Sequence, residues 1–169
     1  MSCWFNSDRE SDGMWRFYGR DNGFAIRVGR KELQEKVKKS VNHNIDTFKQ
    51  GIVAGRINYQ DFPRVIEKEK ESRVRYLAFR KDESFSHEKE YRVVMVNLTE
   101  EAISLGHRMY KILEFDELDI IIIVHPKMSD SGFEKYKKLF ESYGENIKVI
   151  KSELEPFYKL PDRIKELNK

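Results

Sequence analysis

The run of five apolar residues from Ile120 to Val124 constrains the fold of this chain more than any other feature of its sequence. A helix that crosses a membrane needs about 20 apolar residues, so this run is far too short to span a bilayer. Its length suits a strand that is buried on both faces. The sequence therefore predicts a sheet whose central strand covers residues 118–124, in a protein that does not enter a membrane.

Shorter patterns along the chain predict further strands and helices. Apolar residues spaced four, four, four and three apart indicate an amphipathic helix over residues 31–49, which Gly51 and Gly55 end. The pattern Ser131-x-x-Glu134 is typical of a capping box at the start of a helix. Similar patterns predict strands at residues 3–5, 24–28, 91–98, 109–115 and 147–150, and helices at residues 11–18, 62–79, 99–105 and 131–143.

Together these elements predict an α+β fold with a single domain over residues 1–155. We expect a mixed, mostly antiparallel sheet against which two to three helices pack. Pro156 and Pro161 indicate that residues 156–169 form an extended C-terminal tail that ends in a short helix.

The composition excludes several classes of function. Lys and Arg number 32 and Asp and Glu number 29, a balance that makes nucleic acid an unlikely partner, since nucleic-acid binders concentrate positive charge on one face. The single cysteine, Cys3, excludes an intramolecular disulfide and a thiolate-rich metal site. No pair of His, Asp and Cys residues has metal-ligand spacing, so no metal is expected. Without an apolar N-terminal segment, the expected location is the cytoplasm.

The six residues from His87 to Arg92 carry most of the functional information. If they open a strand, Glu88, Glu90 and Arg92 share one face of it. They are therefore the candidate catalytic residues, as an acid/base or substrate-orienting cluster. The alternative is a structural ion-pair ladder in which Arg92 neutralises Glu90. His125, after the central strand, has no partner at motif spacing and is expected to be structural.

Two blocks of sequence stand in an order typical of one family. The first runs from Cys3-Trp4-Phe5 through Met14-Trp15-x-x-Tyr18 to Gly23-Phe24-Ala25-Ile26, and the second joins Phe79-Arg80-Lys81 to Glu88-Lys89-Glu90-Tyr91-Arg92. In this order they resemble a bacterial family catalogued as domain of unknown function 2971. The resemblance spans roughly residues 3–150.

The resemblance implies a function, because the pattern of that family is similar to the ADP-ribosyltransferase superfamily. It implies that Trp15 and Tyr18 stack on nicotinamide or ribose and that Glu88 or Glu90 is the catalytic acid. NAD is then the candidate substrate. One carboxylate of such a pair holds the ribose 2′-hydroxyl and stabilises a cationic sugar, and the other activates the acceptor.

The sequence departs from the family at its start. Family members carry an N-terminal segment with the Arg or His of the first motif, and this chain begins after that point. We therefore expect a shortened relative or a fragment with an incomplete site. The alternative is a non-catalytic interaction module of a phage-defence or toxin-antitoxin system. In that case Trp15 and Tyr18 are core residues, and a homodimer or protein partner completes the sheet.

Overall fold

The structure, a computed structural model, describes residues 1–43, 52–61, 78–95 and 118–167. The strands in these ranges are β1 (Ser2–Phe5), β2 (Phe24–Val28), β3 (Ile52–Arg56), β4 (Asn58–Gln60), β5 (Arg80–Asp82), β6 (Glu90–Met95), β7 (Ile120–Val124) and β8 (Ile147–Lys151). The α-helices are α1 (Asp12–Tyr18), α2 (Arg30–His43), α3 (Asp130–Glu141) and α4 (Glu155–Leu167), and a short 3₁₀ helix covers Glu83–Glu88.

The chain divides into two compact units, each assembled from two stretches of sequence. The first unit comprises Met1–Asp8 and Gln34–Leu113, and the second comprises Arg9–Leu33 and Glu114–Lys169. The first unit therefore holds strand β1 and strands β3 to β6. The second holds strands β2, β7 and β8 together with helices α1, α3 and α4.

Strand β6 is the middle strand of the larger sheet in the first unit. Both neighbours, β1 and β3, run antiparallel to it. Because side chains alternate along a strand, Glu90 and Arg92 lie on one face of β6 and the buried residues Tyr91 and Val93 lie on the other. Strands β4 and β5 form a separate short parallel pair. The alternation thus places charged side chains along one face of an otherwise apolar strand.

Gly55 lies inside strand β3, and not at the end of a helix as the sequence predicts. It pairs with Arg92 across the sheet. A Cβ atom at this position would lie 3.4 Å from the ring of Phe79, so the glycine leaves room for that ring beside the strand. The sequence does not predict β3, because the segment Ile-Val-Ala-Gly-Arg shows no alternation of apolar and polar residues.

The apolar run Ile120–Val124 is the central strand of the sheet in the second unit, as predicted. Strand β2 pairs with it in the antiparallel direction and β8 in the parallel direction. A parallel pair needs a crossover connection, which helix α3 supplies between β7 and β8. Along β7, Ile120, Ile122 and Val124 are each at most 3% exposed and form the core of this unit.

Helix α3 begins at Asp130, one residue earlier than the sequence predicts, and its N-cap lies two residues earlier than the predicted one. Its N-cap is Ser129, whose hydroxyl accepts a hydrogen bond from the backbone N–H of Gly132 at 3.1 Å. The capping box at Ser131 and Glu134 is therefore wrong. Either serine fits the local pattern, and Ser129 is the one with extended backbone angles before the first turn.

The aromatic face of helix α3 packs on strand β2. The ring of Phe24 lies 5.9 Å from that of Tyr136 and 4.8 Å from that of Phe140, both edge to face. Such edge-to-face pairs are favoured by the charge distribution of aromatic rings. The sequence predicts one face of this helix formed by Phe133, Tyr136, Phe140 and Tyr143. Tyr143 instead lies beyond the end of the helix and is 72% exposed.

Helix α4 corrects the prediction of an extended C-terminal tail at residues 156–169. The 13 residues Glu155–Leu167 form one helix that includes Pro156 and Pro161. Pro156 stands in the first turn, where the missing N–H has no intrahelical partner to lose. The two prolines predict a break in the chain, but the helix continues through both of them.

Ion pairs connect the start of helix α4 to its neighbours. Lys151 Nζ lies 2.6 Å from Asp130 Oδ1 and 3.3 Å from Glu155 Oε1. Lys159 also pairs with Glu155. Strand β8, helix α3 and helix α4 thus share one charge network at the surface of the second unit.

The α+β class is confirmed, with mixed and mostly antiparallel pairing. Among the described residues this pairing is distributed over three sheets. Several predicted elements lie outside the described residues: helix 99–105, strand 109–115, residues 44–49 of helix 31–49, residues 62–77 of helix 62–79, and residues 96–98 of strand 91–98. The single-domain assignment for residues 1–155 stays a prediction.

Candidate functional site

The carboxylate pair does not arise from alternation along one strand. Glu88 ends the 3₁₀ helix, and strand β6 begins only at Glu90. Between them Lys89 takes a left-handed conformation with φ 43°. This sharp turn brings Glu88 back beside Glu90, so the prediction that residue 88 is part of the strand is wrong while the proximity of the two carboxylates is right.

Lys81 joins the two carboxylates. Its ammonium group lies 2.5 Å from Glu90 Oε1 and also binds Glu88 Oε2. It comes from strand β5, and the ring of Phe85 lies 4.7 Å from the ammonium nitrogen. A cation held between two carboxylates and an aromatic ring is well compensated for its partial burial.

Arg92 holds the second oxygen of Glu90. Its Nε donates to Glu90 Oε2 at 2.6 Å, and its Nη1 donates to the carbonyl of Ala78 at 2.7 Å. Lys81, Glu88, Glu90 and Arg92 are called the carboxylate cluster below. The cluster contains two cations and two carboxylates, and its formal charge is therefore zero.

The backbone of Glu90 is fixed as firmly as its side chain. Its N–H donates to the hydroxyl of Tyr59 at 2.7 Å, and its carbonyl accepts from Ile57 N at 3.0 Å. Ile57 joins strand β3 to β4, and Tyr59 lies in β4. The carboxylate therefore has little freedom to move, which is the property a preorganised site requires.

The electrostatics of the cluster keep Glu90 ionised. Burial alone would raise the pKa of this carboxyl, but the hydrogen bonds from Arg92 and Lys81 outweigh it and lower the pKa to about 2. Glu88 and Glu90 are only 5% and 7% exposed. The Glu90 carboxylate therefore stays ionised, buried and oriented at neutral pH, and its charge is balanced by Arg92 and Lys81.

Lys81 is the site residue that sequence reasoning did not single out. Its signal was nevertheless present, because the residue lies in the second of the two sequence blocks, seven positions before Glu88. Its role depends on the turn at residues 83–89, which returns the chain to strand β5 and which no periodicity in the sequence predicts.

Trp15 and Tyr18 both lie in the second unit, on helix α1. Trp15 is 6% exposed, its Nε1 donates to Glu10 Oε2 at 2.8 Å, and its ring meets that of His125 edge to face. Such a ring has little free face for stacking. Tyr18 is 65% exposed and is not a core residue. The roles of both residues toward NAD stay predictions.

Cys3, on strand β1, contacts the cluster from the neighbouring strand. Burial and the negative charge of Glu90 raise the pKa of its thiol, while Arg92 acts in the opposite direction. Cys3 is exposed, and a thiol with a raised pKa is a weaker nucleophile at neutral pH than an ordinary cysteine. In the described part of the chain, no group of three or more His, Cys, Asp or Glu residues is arranged to hold a metal.

Fold and site together define an α+β protein with a buried, charge-balanced carboxylate cluster on the middle strand of a sheet. The chain matches the family described as Protein of unknown function (DUF2971) over residues 14–93, a range that contains the whole cluster. This match supports the resemblance that the two sequence blocks indicate. No curated protein and no solved structure matches the chain. None of the described helices is both long and apolar enough to cross a membrane.

Proposed function

We propose that the protein binds NAD at the carboxylate cluster and acts as an ADP-ribosyltransferase-like enzyme in the bacterial cytoplasm. The observation that supports this proposal is Glu90, a carboxylate that is buried, fixed and ionised with a pKa of about 2. Cleavage of the nicotinamide–ribose bond builds positive charge on the sugar. A fixed carboxylate in a site of low dielectric stabilises that charge.

Lys81 is the cation that the substrate would replace. Its side chain is 22% exposed, against 12% for Arg92. Departure of its ammonium group would let a ribose hydroxyl bind Glu90 Oε1 and would remove one of the partners of Glu88. Arg92 is a positioning residue in this scheme, because it keeps Glu90 ionised and oriented without contacting the reacting atoms.

The proposed reaction has a simple atom balance. The bond between the nicotinamide nitrogen and ribose C1′ breaks, and nicotinamide leaves with the bonding electron pair. An acceptor oxygen, water in the simplest case, forms the new bond to C1′ and loses its proton. Glu88 is the candidate base for that proton, and Glu90 faces the developing positive charge.

A thermal-shift titration with NAD tests the binding part of the proposal. A ligand that binds only the folded state stabilises it by about 2.7 kcal/mol at a hundred times its Kd. We expect a rise in Tm for the unmodified chain and a much smaller rise for Glu90→Gln, each compared with the same variant without NAD.

Glu134→Gln provides a matched control, because Glu134 is an exposed carboxylate on helix α3 in the other unit. It should show the same NAD-dependent rise in Tm as the unmodified chain. If millimolar NAD leaves the Tm of the unmodified chain unchanged, the proposal is wrong.

A non-catalytic interaction module of a defence system is the second candidate function. It is favoured by one observation: both oxygens of Glu90 are already engaged, one by Lys81 and the other by Arg92. In this case the cluster is structural, and a partner or second copy adds to a strand such as β1, which is an edge strand among the described residues. A dimer or larger assembly detected by light scattering after size exclusion, together with no change in Tm on addition of NAD, would favour this candidate.

A further inference from the structure

His125 occupies a junction in the second unit that the proposed function does not use. It follows the last residue of strand β7 and is 5% exposed. Its ring lies 5.2 Å from that of Trp15 on helix α1 and 6.2 Å from that of Tyr158 on helix α4, both at steep angles. Gly19 leaves space for it, since a Cβ there would lie 3.2 Å from the ring.

One ring nitrogen of His125 is committed as an acceptor. The backbone N–H of Lys127 donates to Nδ1 at 3.1 Å, so the neutral ring carries its proton on Nε2. A second proton can attach only at Nδ1. That proton would point at the N–H of Lys127, so the hydrogen bond between Lys127 N and Nδ1 would be lost. The ring would also carry a positive charge in a buried position, which costs desolvation free energy.

The charged groups around the ring come from every element packed on it. Asp21 and Lys127 belong to neighbouring turns and pair with each other at 3.4 Å. From helices α1 and α4, Asp12 accepts a hydrogen bond from the hydroxyl of Tyr158, and Arg16 Nε lies 2.7 Å from Asp12. Glu10 receives the indole N–H of Trp15. No carboxylate directly bonds the His125 ring within the described residues.

We propose that His125 is a pH-sensitive contact that holds helices α1 and α4 on the end of strand β7 and releases them when it is protonated. The His125 ring follows strand β7 and contacts both helix α1 and helix α4, so protonation of this one ring affects the packing of both helices. Release would free helix α4, whose residues Phe157, Leu160 and Ile164 already expose apolar side chains.

The direction of the pH effect follows from the environment of the ring. Burial lowers the pKa of His125 below its ordinary 6.5, Asp21 opposes this and Lys127 adds to it. A histidine with a lowered pKa in the folded state favours folding above pH 6.5. That contribution is lost as the pH falls from 6.5 through the lower pKa of the folded state.

The test combines a histidine titration by NMR with hydrogen exchange of helix α4 on the full-length chain. We expect the His125 ring to titrate with a midpoint below 6.5. As the pH falls from 6.5 through that midpoint, amide exchange in residues 155–167, corrected for its intrinsic pH dependence, should accelerate by about tenfold for each unit by which the pKa is lowered. Trp15 emission in a Trp4→Phe variant should change in parallel.

Two conservative variants distinguish a specific effect of His125 from a general loss of stability at low pH. Asp21→Asn should move the midpoint down and Lys127→Gln should move it up, because each removes one charge that faces the ring. His125→Gln should abolish the exchange transition. A His125 midpoint at or above 6.5 would overturn the proposal, and so would amide exchange in helix α4 that does not accelerate as the pH falls from 6.5 through the midpoint. Both results are measured on the unmodified chain, so they do not require any variant to fold.

Discussion

At the scale of single residues, Lys81 makes it possible to bury two neighbouring carboxylates. Two like charges in one site would force one of them to take up a proton. The ammonium group of Lys81 bridges them, and Arg92 neutralises the remaining charge on Glu90. Removing one member of such a buried set leaves an uncompensated charge, which costs far more than the loss of an exposed pair.

The depressed pKa of Glu90 predicts how stability depends on pH. Its value falls from 4.5 in the unfolded chain to about 2 in the folded protein, so its contribution is complete above pH 4.5 and is lost as the pH falls toward 2. A shift of this size corresponds to on the order of 3 kcal/mol. Urea unfolding between pH 6 and pH 2.5 should show a steeper loss of stability for the unmodified chain than for Glu90→Gln.

Glu134→Gln serves as the control for this measurement, because Glu134 is exposed and lies outside the cluster. It should keep the pH dependence of the unmodified chain. Equal slopes for the unmodified chain and Glu90→Gln would show that Glu90 is not held ionised by its partners.

At the scale of elements, the sequence predicts those whose pattern is local. The apolar run 120–124, the aromatic face of helix α3 and the strand at residues 24–28 all follow from periodicity and are found. Strand β3 is not predicted, because Gly55 leaves room for the ring of Phe79, a residue distant in sequence, and no local pattern reveals that contact. The full length of helix α4 is not predicted, because its two prolines indicate a break in the helix, and the helix-forming tendency of the remaining residues outweighs them.

The N-cap of helix α3 gives a test at this scale. Ser129→Ala removes the hydroxyl that accepts from Gly132 N and should lower the free energy of unfolding by about 1 kcal/mol. Ser131→Ala, inside the first turn, should change it by less than half as much. Chemical denaturation of the two variants compares them directly, and a larger loss for Ser131→Ala would restore the capping box that the sequence predicts.

At the scale of the whole molecule, the candidate site was only partly predictable. The sequence identifies Glu88, Glu90 and Arg92 as a cluster, and the structure brings these three together in the first unit. The sequence cannot show that Lys81 completes the cluster, because that depends on the return of the chain from β5 to β6. Trp15 and Tyr18 belong to the other unit, and their roles toward NAD stay predictions.

The most direct test of the central claim is the release of nicotinamide from NAD, followed by chromatography over several hours. We predict that the unmodified chain releases nicotinamide above the rate without protein, that Glu90→Gln abolishes this release, and that Glu134→Gln keeps it. Since Glu90 supplies the fixed negative charge, its loss should lower the rate by at least a hundredfold. No release by the unmodified chain, or equal release by Glu90→Gln, would contradict the assignment of the cluster as an ADP-ribosyltransferase-like site.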